Sequence, residues 1–187
     1  VLAAGLSARF GSDKRRAEGD WQGPLLHHVL GLFRPCFTHL GVVIGPDDSF
    51  GGAACAAFAA TPVVNPAAAD GMGGSLAMGI AWLAALDLEC AVVGLADMPW
   101  VPAAAIRLVS ETGLESGRLV APVWQGRLGF PRAIPSRHFP ALASLRGERG
   151  ASALLDWENA LLIPWDEPGV FLDIDHPADA DPPPSQA

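Results

Sequence analysis

Short apolar runs alternate with segments of helical spacing along the whole chain. Val1–Ala4, His39–Ile44, Thr61–Asn65, Cys90–Leu95 and Leu119–Val123 read as buried strands. The run CAVVGL at Cys90–Leu95 is nearly continuous in apolar residues, as a central parallel strand covered on both faces requires. Between these runs, Pro24–Leu32, Gly52–Ala60, Gly74–Leu86 and Pro102–Glu111 predict helices. The last is led by a proline, whose missing N–H is no loss in a first helical turn. Phe139–Leu142 and Ala151–Glu158 predict further helical turns, and Leu161–Ile163 and Val170–Asp173 late strands. This alternation is the pattern of an α/β sandwich. The chain opens inside an apolar run without a methionine, so the first strand is expected to extend upstream. With no repeat and no linker-like stretch, residues 1–180 are expected to form a single domain, and the polar, proline-rich stretch 181–187 (DPPPSQA) a disordered tail.

Charge narrows the function. The 187 residues carry a formal net charge of −8, which disfavours a nucleic-acid partner, since phosphate backbones call for clustered Lys and Arg. The one basic cluster (Arg9, Lys14, Arg15, Arg16) lies just after the first apolar run. A local positive site on an acidic protein suits a small anionic ligand. No apolar run approaches a membrane span, and no signal peptide is visible. Cys36, Cys55 and Cys90 are odd in number and lack metal spacing, so reduced core thiols and a cytoplasmic location are expected. The five histidines show no metal-ligand spacing either.

Candidate chemistry gathers at the ends of three strands. The opening VLAAGLSARFGSDK runs from a strand into small residues (Leu2, Ala3, Ala4, Gly5, Ser7), then to Arg9, Gly11 and Lys14. Small residues let backbone N–H groups approach anionic oxygens, and the two cations neutralise charge that amide dipoles cannot. An ordinary strand-to-loop turn with solvated basic residues would look similar. No GKS or GKT follows the glycines, and Gly5 and Gly11 are too far apart for GxGxxG, so two familiar phosphate loops are excluded. Asp97 follows the Cys90–Leu95 run, where a carboxylate can bind Mg²⁺ beside phosphate oxygens or cap the next helix. Asn65 ends the third strand; its amide could read a base edge or close a turn. Gly71 and Ser75 precede or open a helix whose free N–H groups suit an anion, although Ser75 also fits as an ordinary first-turn residue. In an open α/β sheet these strand ends share one rim, where ligands bind.

The first fourteen residues resemble the signature LAAGxSxRxGxxK of the molybdenum cofactor nucleotidyltransferases, the molybdopterin cytidylyltransferase-like and guanylyltransferase-like enzymes. Every fixed position matches. LADMPWV resembles the family's L-x-D-x-P segment, and Gly71, Met72, Ser75, Leu76 and Gly79 match G-M-x-x-S-L-x-x-G. FLDIDHPADAD resembles the closing D-I-D-T-P-x-D-L, with His176 for Thr and Ala180 for Leu. PVWQGRLGFPRAI has Phe130 where a His is usual beside the acceptor, and RGERGA has Glu148 for Asp. Arg15 and Arg16 stand where an apolar pair is usual.

The resemblance implies a three-layer α/β/α Rossmann-like sandwich with a mixed, mainly parallel sheet, of the nucleotide-diphospho-sugar transferase type. It also implies transfer of a nucleoside monophosphate from a nucleoside triphosphate to the terminal phosphate of a phosphorylated pterin cofactor. Mg²⁺ would be held by Asp97 and by Asp175, or alternatively Asp173, while Lys14 and Arg9 stabilise the departing pyrophosphate. Ala4 and Ser7 resemble the CTP-using branch; GTP, or a sugar- or alcohol-phosphate acceptor, is the alternative, with a non-catalytic cofactor-binding protein behind them. By resemblance alone, a molybdenum hydroxylase of the xanthine dehydrogenase kind is the downstream partner.

Overall fold

A computed structural model describes residues 1–5, 10–147 and 154–181. In chain order the elements are α1 (Leu25–Phe33), β1 (Gly41–Ile44), α2 (Ser49–Ala57), β2 (Thr61–Val64), α3 (Met72–Ala84), β3 (Cys90–Val93), α4 (Ala103–Ser116), β4 (Val120–Trp124), β5 (Arg127–Leu128), β6 (Arg132–Pro135), α5 (Phe139–Leu142) and β7 (Leu161–Pro164). Short 3₁₀ turns fill the connections, including Lys14–Arg16, Trp157–Asn159 and Pro168–Val170.

The strands form two groups. β1 and β2 pair in parallel, from Gly41 opposite Thr61 to Ile44 opposite Val64. In the second group β3 runs antiparallel to β6, β6 antiparallel to β4, and β4 parallel to β7. The first residues of the chain join them. Leu2 bridges in parallel to Val43 on one side and to Leu95 on the other. Its N–H donates to the Gly94 carbonyl at 2.9 Å and its own carbonyl accepts from the Ala96 N–H at 3.0 Å. The Ala3 N–H donates to the Val43 carbonyl at 2.9 Å, and the Val1 carbonyl accepts from the Val43 N–H at 2.9 Å. The sheet order is therefore β2–β1–Val1 to Ala3–β3–β6–β4–β7, parallel except for β6 and the short β5 that folds back on the end of β4.

Side chains alternate across this sheet, as the two-residue period of a strand requires. Val42 and Ile44 point into a core with Leu25, Leu26, Val29 and Leu30 of α1, Ala54 and Cys55 of α2 and Ile106 of α4. Val43 points the other way, onto Ala4, Val63 and Trp82. On that second face Leu76, Ala77 and Ile80 of α3 pack with Phe139 and Leu142 of α5 over Ala91, Ala121 and Ile134. The result is the three-layer α/β/α arrangement with a mixed, mainly parallel sheet. Among the described residues, no helix is long and apolar enough to cross a membrane.

Three expectations need correction. Of the expected strand Val1–Ala4, only Leu2 takes a ladder position, because the chain turns away after Ala3. Val170–Asp173 is not a strand. Pro168–Val170 forms a 3₁₀ turn, the Val170 carbonyl accepts from the Phe130 N–H at 2.7 Å, and the Ile174 N–H donates to the Asp97 carbonyl at 2.9 Å. These separate bonds bend the segment across the rim instead of along a neighbour. Of the expected helix Ala151–Glu158, residues 151–153 lie outside the described residues, and the remainder is a turn followed by the 3₁₀ turn Trp157–Asn159, capped by Asp156. β6 was not foreseen; it is four residues long and bounded by Pro131 and Pro135, which masks its period.

Arg15 locks the first loop to this frame. It donates from Nε and Nη2 to the two carboxylate oxygens of Asp13, each at 2.8 Å, and from Nη1 to the Ala3 carbonyl at 3.1 Å. Nη1 also pairs with Asp48, whose other oxygen caps α2 by accepting from the Gly51 N–H at 2.8 Å. Burial works against the charged guanidinium, but the bonds with Asp13 and Asp48 outweigh it and raise its pKa. Arg16 instead lies 4.1 Å over the Phe50 ring. Replacing Arg15 by Ala would leave Asp48, only 10% exposed, without its cation. Arg15→Ala should therefore lower the unfolding free energy by about 2–3 kcal/mol, measured by urea denaturation.

Candidate active site

The carboxyl ends of the central strands surround a cavity of about 440 Å³. Leu2, Ala3, Ala4 and Gly5 form one wall, Lys14 and Asp97 the floor, and Gly71 and Ser75 the side formed by the start of α3. Asp173 and Asp175 close it from the C-terminal segment. Residues far apart in sequence thus reach one rim because their strands are neighbours in the sheet.

Lys14 is the hub. Its Nζ donates to Asp97 Oδ2 at 2.7 Å and to the Ile174 carbonyl at 2.9 Å, and lies 3.7 Å from Asp175 Oδ1. The ammonium side chain is 14% exposed, so these bonds are poorly screened by water. Asp97 presents a second oxygen, Oδ1, that is buried without a hydrogen-bond partner. A buried acceptor with nothing to accept is costly unless a cation meets it. Asp97 and Asp175 fit a divalent ion that takes its remaining ligands from phosphate oxygens and water, as Mg²⁺ does. Among the described residues, no group of three or more His, Cys, Asp and Glu side chains could hold a metal unaided.

The loops are shaped for this floor. Gly71 adopts φ +120°, a region closed to residues with a Cβ, and so turns the chain into α3 with its first N–H groups beside the cavity. Gly11 adopts φ +79° in the turn that carries the chain back to Lys14. Asn65 is buried behind the wall. Its Nδ2 donates to Ser75 Oγ at 3.0 Å and its Oδ1 accepts from the Ala67 N–H at 3.0 Å. Both ends of the amide are engaged by protein, so in this geometry Asn65 holds Ser75 and the turn at Ala67, and does not present an edge to a base. Ser7, Arg9 and Glu148 lie outside the described residues.

Of the lining residues, Arg15, Ala68, Ala69, Met72, Leu95 and Ala96 went unassigned to the site from sequence. Met72 is 53% exposed at the cavity mouth, and nothing in its motif signals exposure over burial. Arg15 also borders the cavity, but its charge is spent on Asp13 and Asp48. A second cavity of about 430 Å³ lies at the opposite ends of the strands. Among the described residues its lining carries no Lys, Arg, Asp or Glu side chain and is mostly apolar, with His39, Thr38 and Ser110 as its polar side chains.

The chain belongs to the MobA-like NTP transferase domain family, whose model matches residues 1–161. It is a nucleotidyltransferase. Among solved structures it is similar to Rv0371c from Mycobacterium tuberculosis H37Rv, with 25% identity and a TM-score of 0.78 over 95% of this chain and 91% of that one. A second structure of Rv0371c, in complex with manganese, shares 23% identity with a TM-score of 0.70 over 97% and 90%. The molybdopterin-guanine dinucleotide biosynthesis protein A of Archaeoglobus fulgidus shares the fold at 16% identity, with a TM-score of 0.65 over 96% and 92%. No protein of curated function matches the chain by sequence.

Among the described residues, three carboxylates share the floor with the Lys14 ammonium. Partial burial and the neighbouring charges of Asp97 and Asp175 raise the Asp173 pKa above its ordinary 3.8. A carboxyl whose folded pKa is raised weakens the fold once it ionises, and costs nothing when protonated in both states. Asp173→Asn should therefore raise the melting temperature of the ligand-free protein at pH 7, and the gain should vanish below about pH 4, followed by thermal scans across pH.

Proposed function

We propose that the protein transfers CMP from CTP to the terminal phosphate of the molybdopterin cofactor and releases pyrophosphate. The observation that carries this reading is the meeting of Lys14, Asp97 and Asp175 on one cavity floor, beside a wall of small residues. The reaction joins an acceptor phosphate oxygen to the α-phosphorus of CTP and breaks the bond to the β-phosphate oxygen, whose electron pair leaves with pyrophosphate. The attacking oxygen is already anionic at neutral pH, so no strong general base is needed. The barrier is the approach of one anion to another, and it is lowered by fixed charge and positioning.

The backbone of Ala3 to Gly5 lies close enough to the cavity for triphosphate oxygens to rest against it, because none of these residues has a bulky side chain. Lys14 neutralises charge at the floor, and Arg9 would add a second cation toward the β and γ oxygens. Asp173 and Asp175 beside Asp97 repel a triphosphate, so positive charge beyond that of Lys14 favours its entry. Asp97 and Asp175 would hold Mg²⁺, which when bound would supply Lewis-acid stabilisation of phosphate charge. The manganese complex of Rv0371c supports a divalent ion. Ser75, held by Asn65, offers its hydroxyl and the start of α3 to the nucleotide.

The choice of CTP rests on Ala4 and Ser7 in the first motif; GTP is the competing nucleotide. Lys14→Ala and Asp97→Ala should each lower kcat/KM by ~100- to 1,000-fold with the circular dichroism spectrum unchanged, measured as pyrophosphate release with purified cofactor. Wild-type activity in either variant would remove that residue from the mechanism. Chelation by EDTA should abolish release and added Mg²⁺ restore it. In calorimetry CTP should bind at least several-fold tighter than GTP, and the reverse order would assign the protein to guanylyl transfer.

A further inference from the structure

Arg132 opens β6 directly opposite Val93, the last residue of β3, and so lies on the same rim as Asp97. Ile134, two residues on and on the same face, packs with Leu76 of α3 and with Trp157. Leu76 adjoins Ser75 on the cavity wall, so this face continues from the nucleotide cavity toward β6.

The guanidinium of Arg132 is largely enclosed. Nε donates to the Gly129 carbonyl at 3.0 Å and Nη2 to the Leu128 carbonyl at 3.4 Å. The Phe130 ring centre lies 4.3 Å from its central carbon and the Trp157 ring centre 5.0 Å. Burial lowers its pKa, and among the described residues no carboxylate pairs with it to oppose that effect. This sets it apart from Lys14, paired with Asp97 and Asp175, and from Arg15, paired with Asp13 and Asp48. Trp157 is only 8% exposed, and its indole Nε1 is buried without a hydrogen-bond partner. An enclosed cation without an anion and an enclosed N–H without an acceptor are each unfavourable, although the Phe130 and Trp157 ring faces offset part of the cation's lost hydration, and the guanidinium lies against the same indole ring. An anionic oxygen that reached both groups would satisfy both. Arg132 keeps part of its surface in solvent, so such a group can reach it.

We propose that Arg132, with the Trp157 indole N–H, binds a phosphoryl oxygen of the acceptor substrate and selects acceptors that carry that charge. The inference rests on the transferase reading above for the identity of its ligand as acceptor, but the site itself can be tested without turnover.

The probe is inorganic phosphate, titrated into the ¹⁵N-labelled full chain with CTP present to fill the nucleotide cavity. The Trp157 indole resonance is assigned by its loss in Trp157→Phe. In the wild type this resonance should shift saturably with phosphate. In Arg132→Gln the apparent affinity should fall about tenfold or more, because a charged hydrogen bond is lost, while CTP affinity stays the same. A Trp157 signal that does not move in the wild type, or that moves equally in Arg132→Gln, overturns the proposal. If Arg132→Gln does not fold, Arg132→Lys decides: it keeps the charge but not the planar fork, and unchanged phosphate affinity would overturn the site. CMP transfer to the pterin cofactor without a Trp157 shift would sink this inference alone. A shift without such transfer would keep the subsite and assign it to another phosphorylated acceptor.

Discussion

The double pairing of Leu2 is the constraint on which the rest depends. Among the described residues, the backbone ladder joins β1–β2 to the group of β3, β6, β4 and β7 through the bonds that Val1, Leu2 and Ala3 make to Val43, Gly94 and Ala96. Backbone polar groups in a covered sheet must find partners, so a central segment left out would expose ladder edges on both sides. Because this segment sits between β1 and β3, the loop that leaves it opens between their carboxyl ends. The position of the cavity follows from that placement.

Charge then decides what each basic residue near the loop can do. Lys14 and Arg15 are adjacent in sequence and opposite in task. Lys14 faces the cavity and meets Asp97, Asp175 and the Ile174 carbonyl. Arg15 faces the frame and is consumed by Asp13, Asp48 and the Ala3 carbonyl. An arginine in place of an apolar residue therefore adds no phosphate charge; it fastens the loop to the cap of α2. This also explains how an acidic protein can present a local cation at a strand end without gathering a broad basic surface.

The C-terminal segment shows why the floor needed the tertiary fold to be seen. Asp173 and Asp175 were legible as candidates from their motif, but the expected strand at Val170–Asp173 would have aligned them along a sheet edge. The segment instead crosses the rim, tied by Phe130 to Val170 and by Ile174 to Asp97, which brings both carboxylates beside Lys14. Asn65 shows the converse. Its residue type and strand-end place fitted either base reading or the closing of a turn, and the fold turns its amide inward onto Ser75 and Ala67. An amide side chain has the same donors and acceptors in either task, so only its surroundings separate them.

By itself the sequence determined the alternation of strands and helices and the loop of small residues, and it marked Lys14, Asp97, Gly71 and Ser75 as candidates, because these follow from local period, turn chemistry and residue type; the three-layer class came from the resemblance to a known family. Only the tertiary structure decided the joining of the two strand groups through Leu2, the unforeseen β6, the inward turn of Asn65 and the isolated charge of Arg132. Each of these depends on which distant backbone or side chain lies opposite, and hydrogen-bond and charge complementarity across hundreds of covalent bonds leaves no trace in the local pattern of the chain.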